Sequence, residues 1–233
     1  MNIKKTFIAL LFTLIPLFNA TAQEVAPSAH YIKDKVETQS TQITDGEAPL
    51  AVTFKANPTA VGDYTPSYEW QFFRKESETS QTRILVRYEE DTEYTFVESG
   101  TFTIQLIATF VNGTDTVLRQ AAPITVTISE SKLEMPNAFS PNNDGYNDKY
   151  KAKPGYKSIV SFHAYIFNRW GQKLYEWDNV ADGWDGTHNG HDVPDGVYFV
   201  LVKAKGADGR DYNIRRDVNL LRGFTNKSGT TTK

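Results

Sequence analysis

From residue 101 to 111 apolar and polar side chains alternate: Phe102, Ile104, Leu106, Ala108 and Phe110 against Thr101, Thr103, Gln105 and Thr109. Successive side chains of a strand point to opposite faces of its sheet, so this is the pattern of a strand with one buried face. Ile124, Val126 and Ile128 repeat it against Thr125, Thr127 and Ser129. Further strands are predicted at 50–56, 67–74, 82–88 and 93–97, divided by turn signals at Asn57-Pro58, Gly62-Asp63, Ser99-Gly100 and Asn112-Gly113. About seven strands in about 100 residues, with no helical periodicity, predict an immunoglobulin-like sandwich with Trp70 buried between its sheets.

The alternation resumes downstream at Val160, Phe162, Ala164 and Ile166, and again at Tyr198, Val200, Val202 and Ala204. Asp-Gly pairs beginning at 144, 182, 185, 195 and 208, with Asn189-Gly190, punctuate these strands, and such pairs favour tight hairpins because Gly accepts a positive φ. A second all-β sandwich is expected, with Trp170, Trp177 and Trp184 in its core and rim. The fold class is therefore all-β, two tandem immunoglobulin-like β-sandwich domains after a signal peptide.

The signal peptide is read at residues 1–22: Lys4 and Lys5, an apolar run over 6–18, then Ala20-Thr21-Ala22, with cleavage between Ala22 and Gln23. The run is shorter than the roughly 20 residues a spanning helix needs, and no second run of that length follows, so no membrane span is expected. The chain has no cysteine, which excludes disulfides, thiolate zinc sites, a cysteine nucleophile and a lipidated N-terminal cysteine. Charge divides the remainder. Residues 24–131 are net −8 and residues 132–233 are net +3. With the polar stretch 129–136, that shift gives one domain at 24–131, a second at 132–224 and a Ser/Thr/Gly-rich disordered tail at 225–233. The basic residues are scattered rather than clustered, so no nucleic acid is expected as partner.

Candidate chemistry is sparse. Glu89, Glu90, Asp91 and Glu93 form an acidic loop that reads as solvated. The loops ending at Gly145 and Gly183 fail the EF-hand rule, because Lys151 and Asn189 stand where the bidentate Glu belongs. No cofactor and no metal are expected; a looser loop-stabilising calcium ion is the alternative to Asx-turns. His188, His191 and Asp192 read as a hairpin tip. No recognised hydrolase motif is present, so no catalytic residue is assigned and the chain is read as no enzyme. Tyr64, Tyr68, Phe72 and Phe73 are candidate ligand-facing aromatics, since adjacent Phe72 and Phe73 cannot both point inward in a regular strand.

The run from Glu93 to Leu106 resembles the late strands of the PKD (polycystic kidney disease repeat) family, over residues 40–130. That family's Trp-Asp-Phe-Gly-Asp-Gly is here Trp70-Gln71-Phe72-Phe73-Arg74-Lys75. Five blocks further on are more specific. The first contains Pro136, Asn137, Phe139, Pro141, Asn142, Asp144, Gly145, Asn147 and Asp148; the second, Phe167, Asn168, Arg169, Trp170 and Gly171. Trp184-Asp185-Gly186, Gly196 with Tyr198, and Leu221-Arg222 complete them. In order and spacing they resemble the gliding motility-associated C-terminal domain, the type B sorting domain of type IX secretion, over 134–224. The family ends near its Leu-Leu-Arg block, whereas this chain continues to Lys233.

That resemblance implies recognition by outer-membrane secretion machinery and delivery to the cell surface or the medium, with the signature residues acting in fold and recognition. Arg215, Arg216 and Arg222 are candidate contacts, or sheet-edge protection. The resulting expectation is a non-enzymatic exported protein whose N-terminal module serves adhesion, structure or assembly. The alternative is a carbohydrate- or peptide-binding module with the C-terminal domain as a plain structural unit. Surface polysaccharide or another surface protein is the further partner expected, and periplasmic or outer-membrane association the alternative location.

Overall fold

The computed structural model describes residues 22–223. The signal-peptide reading up to residue 21 and the tail at 225–233 lie outside the described residues. Every regular element between is a strand.

In chain order the first unit contains β1 (Glu24–Val25), β2 (Ser28–Lys33), β3 (Val36–Ser40), β4 (Gln42–Gly46), β5 (Leu50–Lys55) and β6 (Pro58–Thr59). It continues with β7 (Thr65–Lys75), β8 (Gln81–Arg87), β9 (Thr92–Phe96), β10 (Gly100–Asn112), β11 (Asp115–Gln120) and β12 (Ile124–Ile128). Two sheets face each other, one in the order β3-β2-β5-β9, the other β4-β12-β10-β7-β8 with β11 beside the far half of β10. All their pairings are antiparallel except β4 with β12.

The alternating apolar residues of β10 and β12 are all buried, and their threonines lie on the outer face. Between the sheets sits an aromatic core. Phe54 of one sheet packs on Trp70 and Phe72 of the other at centroid distances of 6.0 and 5.4 Å, and Phe96 meets Phe102 at 4.9 Å. The fully buried Trp70 donates its indole N–H to the carbonyls of Glu89 and Glu90, each at 3.1 Å, so its polar atom is satisfied where the ring is driest.

The second unit contains β13 (Ala138–Phe139), β14 (Tyr150–Lys151), β15 (Ile159–Phe167), β16 (Lys173–Trp177), β17 (Gly183–Trp184), β18 (Thr187–His188), β19 (His191–Asp192), β20 (Gly196–Gly206) and β21 (Asp211–Leu220). A five-stranded sheet in the order β13-β21-β20-β15-β16 carries the fold. Two small ribbons, β14-β17 and β18-β19, serve as the opposite layer. The Asp-Gly and Asn-Gly turns are too closely spaced there for longer strands. Asn189 and Gly190 both have positive φ, which permits the tight turn of the β18-β19 hairpin. The core holds Trp184, Tyr150, Phe139 and Tyr198, with Trp184 packed tilted against Phe139 at 5.3 Å and edge-on against Tyr198 at 5.2 Å.

The two cores meet at a seam of small residues. Ala207 belongs to the first core, with Val160 packed against it, although both come from the second unit's strands and turns. The backbone crosses the seam where Ser99 N donates to Ala207 O at 2.9 Å, and on the second unit's side Ala207 N donates to Ser158 O at 2.9 Å. Buried Ser158 accepts from Ala48 N through Oγ at 3.2 Å. Lys132 and Lys157 exchange both backbone bonds as an isolated bridge. At the surface the Lys157 ammonium lies 3.3 Å from Asp45 and 3.9 Å from Glu47. Nearby, Ser131 Oγ donates to Asp208 Oδ1 at 2.6 Å and contacts the Tyr212 hydroxyl at 2.9 Å. Gly206 has no room for a Cβ, which would collide with the Ser131 side chain.

Burial alone would raise the Asp208 carboxyl, but hydrogen bonds from Ser131 Oγ and the backbone N–H groups of Arg210 and Ser131 outweigh it and hold the group below its ordinary value. A depressed folded-state value contributes stability above the unfolded value near 3.8 that is lost as pH falls through the folded one. Asp208→Asn should therefore flatten the acid limb of the stability curve below about pH 5, measured by urea denaturation against pH. Trp70→Ala should cost about 3–5 kcal/mol in the same assay, since it leaves a cavity between the sheets.

Candidate functional site

The signature residues gather at one end of the second unit, and most of their polar atoms are used internally. Asp148 takes the backbone N–H groups of Asn142, Asn143 and Gly145 at 3.1, 2.7 and 2.8 Å. Asp144 accepts from Tyr146 N, and Asn142 Oδ1 from Asp144 N. These are Asx-type turns, with carboxylates directed at amides rather than toward a shared cation position. Asn147 adopts a positive φ, and its carbonyl receives Ser140 N. Asn168 closes its loop the same way, its Oδ1 accepting from Trp170 N and Gln172 N at 2.9 and 3.0 Å, with Gly171 at positive φ.

Trp184 is fully buried and donates to Thr187 O at 2.7 Å, while Asp185 holds both the N–H and the hydroxyl of Thr187. The Tyr198 hydroxyl, pushed up by burial, donates to Pro194 O. The carbonyls of Pro136, Asn137 and Phe139 receive Tyr150 Oη, Asn219 N and Leu221 N in turn, which fastens β13 to the sheet.

Arg222 closes the cluster. Its guanidinium donates to Val193 O and to Gly186 O at 2.8 Å, and lies 3.5 Å from Asp192 and 3.3 Å from Asp195. Its backbone N–H donates to Asp195 at 3.0 Å. A planar fork satisfies two carbonyls and two carboxylates together, a geometry that Lys cannot reproduce. Gly186, at positive φ, admits it, because a Cβ there would lie 3.1 Å from Nη2 and 3.0 Å from Pro141. Arg222 is thus an internal clasp. Arg216, although exposed, donates to Met135 O at 2.7 Å, and Arg215 is exposed on the opposite face of β21. Trp170 stands out as 85% exposed, a rim residue beside exposed Arg169 and Gly171.

The candidate aromatic face of the first unit requires correction. Tyr68 and Phe72 are 7% and 1% exposed and point into the core with Trp70, so they cannot stack on a ligand. Burial and neighbouring Glu90 push the Tyr68 hydroxyl up to about 12. Phe73 takes the opposite phase, half-buried, at a β7-β8 register shift, and Tyr64 donates its hydroxyl to Asp115. The four rings do not share a face.

The acidic loop is likewise occupied. Glu89 accepts from its own and the Tyr88 backbone N–H, which lowers its carboxyl, and Asp91 accepts from Ala56 N. Among the described residues no group of three or more His, Asp or Glu is disposed to hold a metal. His188 Nδ1 lies 2.8 Å from Leu174 O. Its cross-strand partner is His191, while Asp192 pairs with Arg222.

A Ser-His-Glu alignment on β2 and β3 has no counterpart among the sequence motifs. Ser28 Oγ lies 3.0 Å from His30 Nε2, and His30 Nδ1 lies 3.9 Å from Glu37. His30 and Glu37 line an open groove of about 660 Å³. Ser28 is 3% exposed and accepts from Asn57 Nδ2 at 2.9 Å, and the His–Glu separation exceeds a hydrogen bond. A nucleophile needs access, and its base needs an orienting partner. This alignment has neither.

Residues 133–214 match the model of the CHU_C type IX secretion signal domain family. Among curated proteins none matches the chain. Similar solved structures include the chicken CNTN1 FN1-FN3 domains, at 9% identity and TM-score 0.27, covering 79% of this chain and 70% of that one. Another is a tetra-tandem repeat in the extending region of a large adhesion protein, at 12% identity and TM-score 0.27, covering 87% and 68%.

Arg222→Lys should lower the unfolding free energy by about 1–3 kcal/mol, since the buried Val193 carbonyl loses the guanidinium donor and Gly186 O is left with the Val193 N–H alone. Chemical denaturation of the purified chain measures this, and an unchanged midpoint would remove the clasp from the account.

Proposed function

From the premise that residues 133–214 carry a type IX secretion signal domain, we propose that this chain is a non-enzymatic surface or secreted protein whose first sandwich serves adhesion, structure or assembly. The family match is the observation that carries the reading. A domain of that kind implies interaction with secretion machinery and export to the cell surface or the extracellular space. No helix among the described residues is long and apolar enough to cross a membrane.

Two features of the first unit support a passenger that works as a body rather than as a reagent. Its core is filled with aromatic rings. The serine–histidine contact of Ser28 and His30 leaves the serine covered. The seam supports joint delivery of both units, because Ser99, Ser158 and Ala207 tie them through buried backbone groups.

The test is protease accessibility on intact cells producing the full chain. In a host with the type IX machinery the chain should be degraded by added protease or recovered from the medium. In the same host lacking the machinery it should be protected. Protection in both hosts, or accessibility in both, overturns the reading.

A further inference from the structure

We infer that the outer face of the second unit's five-stranded sheet is a binding platform for an acidic polysaccharide. The register places its side chains in rows. Phe167 lies opposite Phe199, Tyr165 opposite Leu201 and His163 opposite Lys203. On the far side of β20, Asp217, Arg215 and Asn213 stand opposite Phe199, Leu201 and Lys203. The partner residues Phe162, Ala164 and Ile166 of β15 are buried, so the aromatic set is the strand's outward set.

An outward sheet face in water is ordinarily mostly polar, as on β10, where Thr101, Thr103, Gln105 and Thr109 outnumber Ile107 and Val111 and no ring is present. Here rings run along the strand instead. His163 and Tyr165 have centroids 4.7 Å apart, Tyr165 and Phe167 6.2 Å, and Phe199 is 47% exposed beside them. Two strand residues advance about 6.6 Å, close to the length of one sugar unit, so successive rings can meet successive sugars along a chain. Phe167, Phe199 and Leu201 with Arg215 and Asp217 line a shallow trough of about 490 Å³.

The flanking charge selects the occupant. Lys203, Lys205 and Arg215 make no ion pair among the described residues, and neither do Asp211 and Asp217 on the same face. Lys173, over the Tyr165 ring at 5.8 Å, is bound to Glu176 at 2.8 Å. Lys203 and Arg215 adjoin the ring row, as Asp217 does at its Phe199 end, while Asp211 sits at the far corner opposite Lys205, so the unpaired cations Lys203, Lys205 and Arg215 outnumber the two unpaired carboxylates of the face. Rings for sugar faces, cations for carboxylates and the Asn213 amide for hydroxyls together fit a uronate-bearing glycan. Protein interface cores are depleted of charge, and this face interleaves charge with rings at each row. The inference concerns surface chemistry and stands whether or not the domain acts in export.

Affinity electrophoresis of the purified full chain tests it, with polygalacturonate as the acidic glycan and dextran as the neutral one. Polygalacturonate should retard the chain and dextran should not. Tyr165→Ala with Phe199→Ala should weaken retardation about tenfold, while Tyr165→Phe preserves it. Lys203→Glu with Arg215→Glu should abolish it in a protein of unchanged melting temperature, which separates loss of the site from loss of the fold. No retardation, equal retardation by dextran, or retardation indifferent to Tyr165 and Phe199 overturns the inference. So does a concentration-dependent dimer that these same substitutions dissolve, because the face would then belong to a second copy of the chain.

Discussion

The seam between the sandwiches imposes the constraint that organises the molecule: where two β units are pressed together, every backbone N–H and C=O left between them must find a partner inside. The chain meets this with small residues. Ser99, Ser158 and Ala207 bring main chain within 2.9 Å of main chain, and Gly206 leaves space that any Cβ would take. Leucines in these places would bury more apolar area but would separate the strands and orphan the amides. The seam therefore trades hydrophobic burial for orientation. Lys157 beside Asp45 and Glu47 adds a contact between the acidic and the basic halves, of modest worth because all three are substantially exposed.

The second unit faces a different shortage. One broad sheet cannot bury its inner face against another, because only two short ribbons stand opposite. An aromatic plug of Trp184, Tyr150, Phe139 and Tyr198 fills the gap, and Arg222 fixes the turns that carry it. The blocks read from the sequence as a signature are thus mostly a record of this solution. Asp148, Asn168, Asp185 and Arg222 are absorbed by turns and clasps, so what a partner could touch are side chains standing clear of them, such as Trp170.

The sequence was readable where burial is one-sided. β10 and β12 follow from alternation alone, and Trp70 is buried as its strand position implies. It was unreadable where both faces are similar in polarity. β3 and β4 are edge strands that mix Gln, Thr and charged residues, β2 between β3 and β5 carries no clear period either, and β11 is an exposed ribbon. Tyr68 and Phe72 were misplaced for a related reason. An aromatic run such as Trp70-Gln71-Phe72-Phe73 fixes no phase by itself, and the cross-strand pairing of Phe72 with Ile104 settles it. The seam lies beyond local reading altogether, since Ala48 and Ser158 are 110 positions apart.

β15 shows the limit most clearly. Its buried register, Phe162, Ala164 and Ile166, suffices to place it in the sheet, so the pattern that identified the strand left the other register unexamined. The outer register is aromatic too. Burial does not explain it, because the neighbouring outward positions on β20 pass from Phe199 and Leu201 at one end to Lys203 and Lys205 at the other, and no described element covers them. On the first unit the outward set of β10 is Thr101, Thr103, Gln105, Ile107, Thr109 and Val111, polar and β-branched side chains without a ring, which strand propensity alone accounts for. The same architecture thus carries a bland face on one sandwich and a chemically specific one on the other. Folding requirements are met by the inner register alone, so the composition of the outer one is free to answer to something outside the chain.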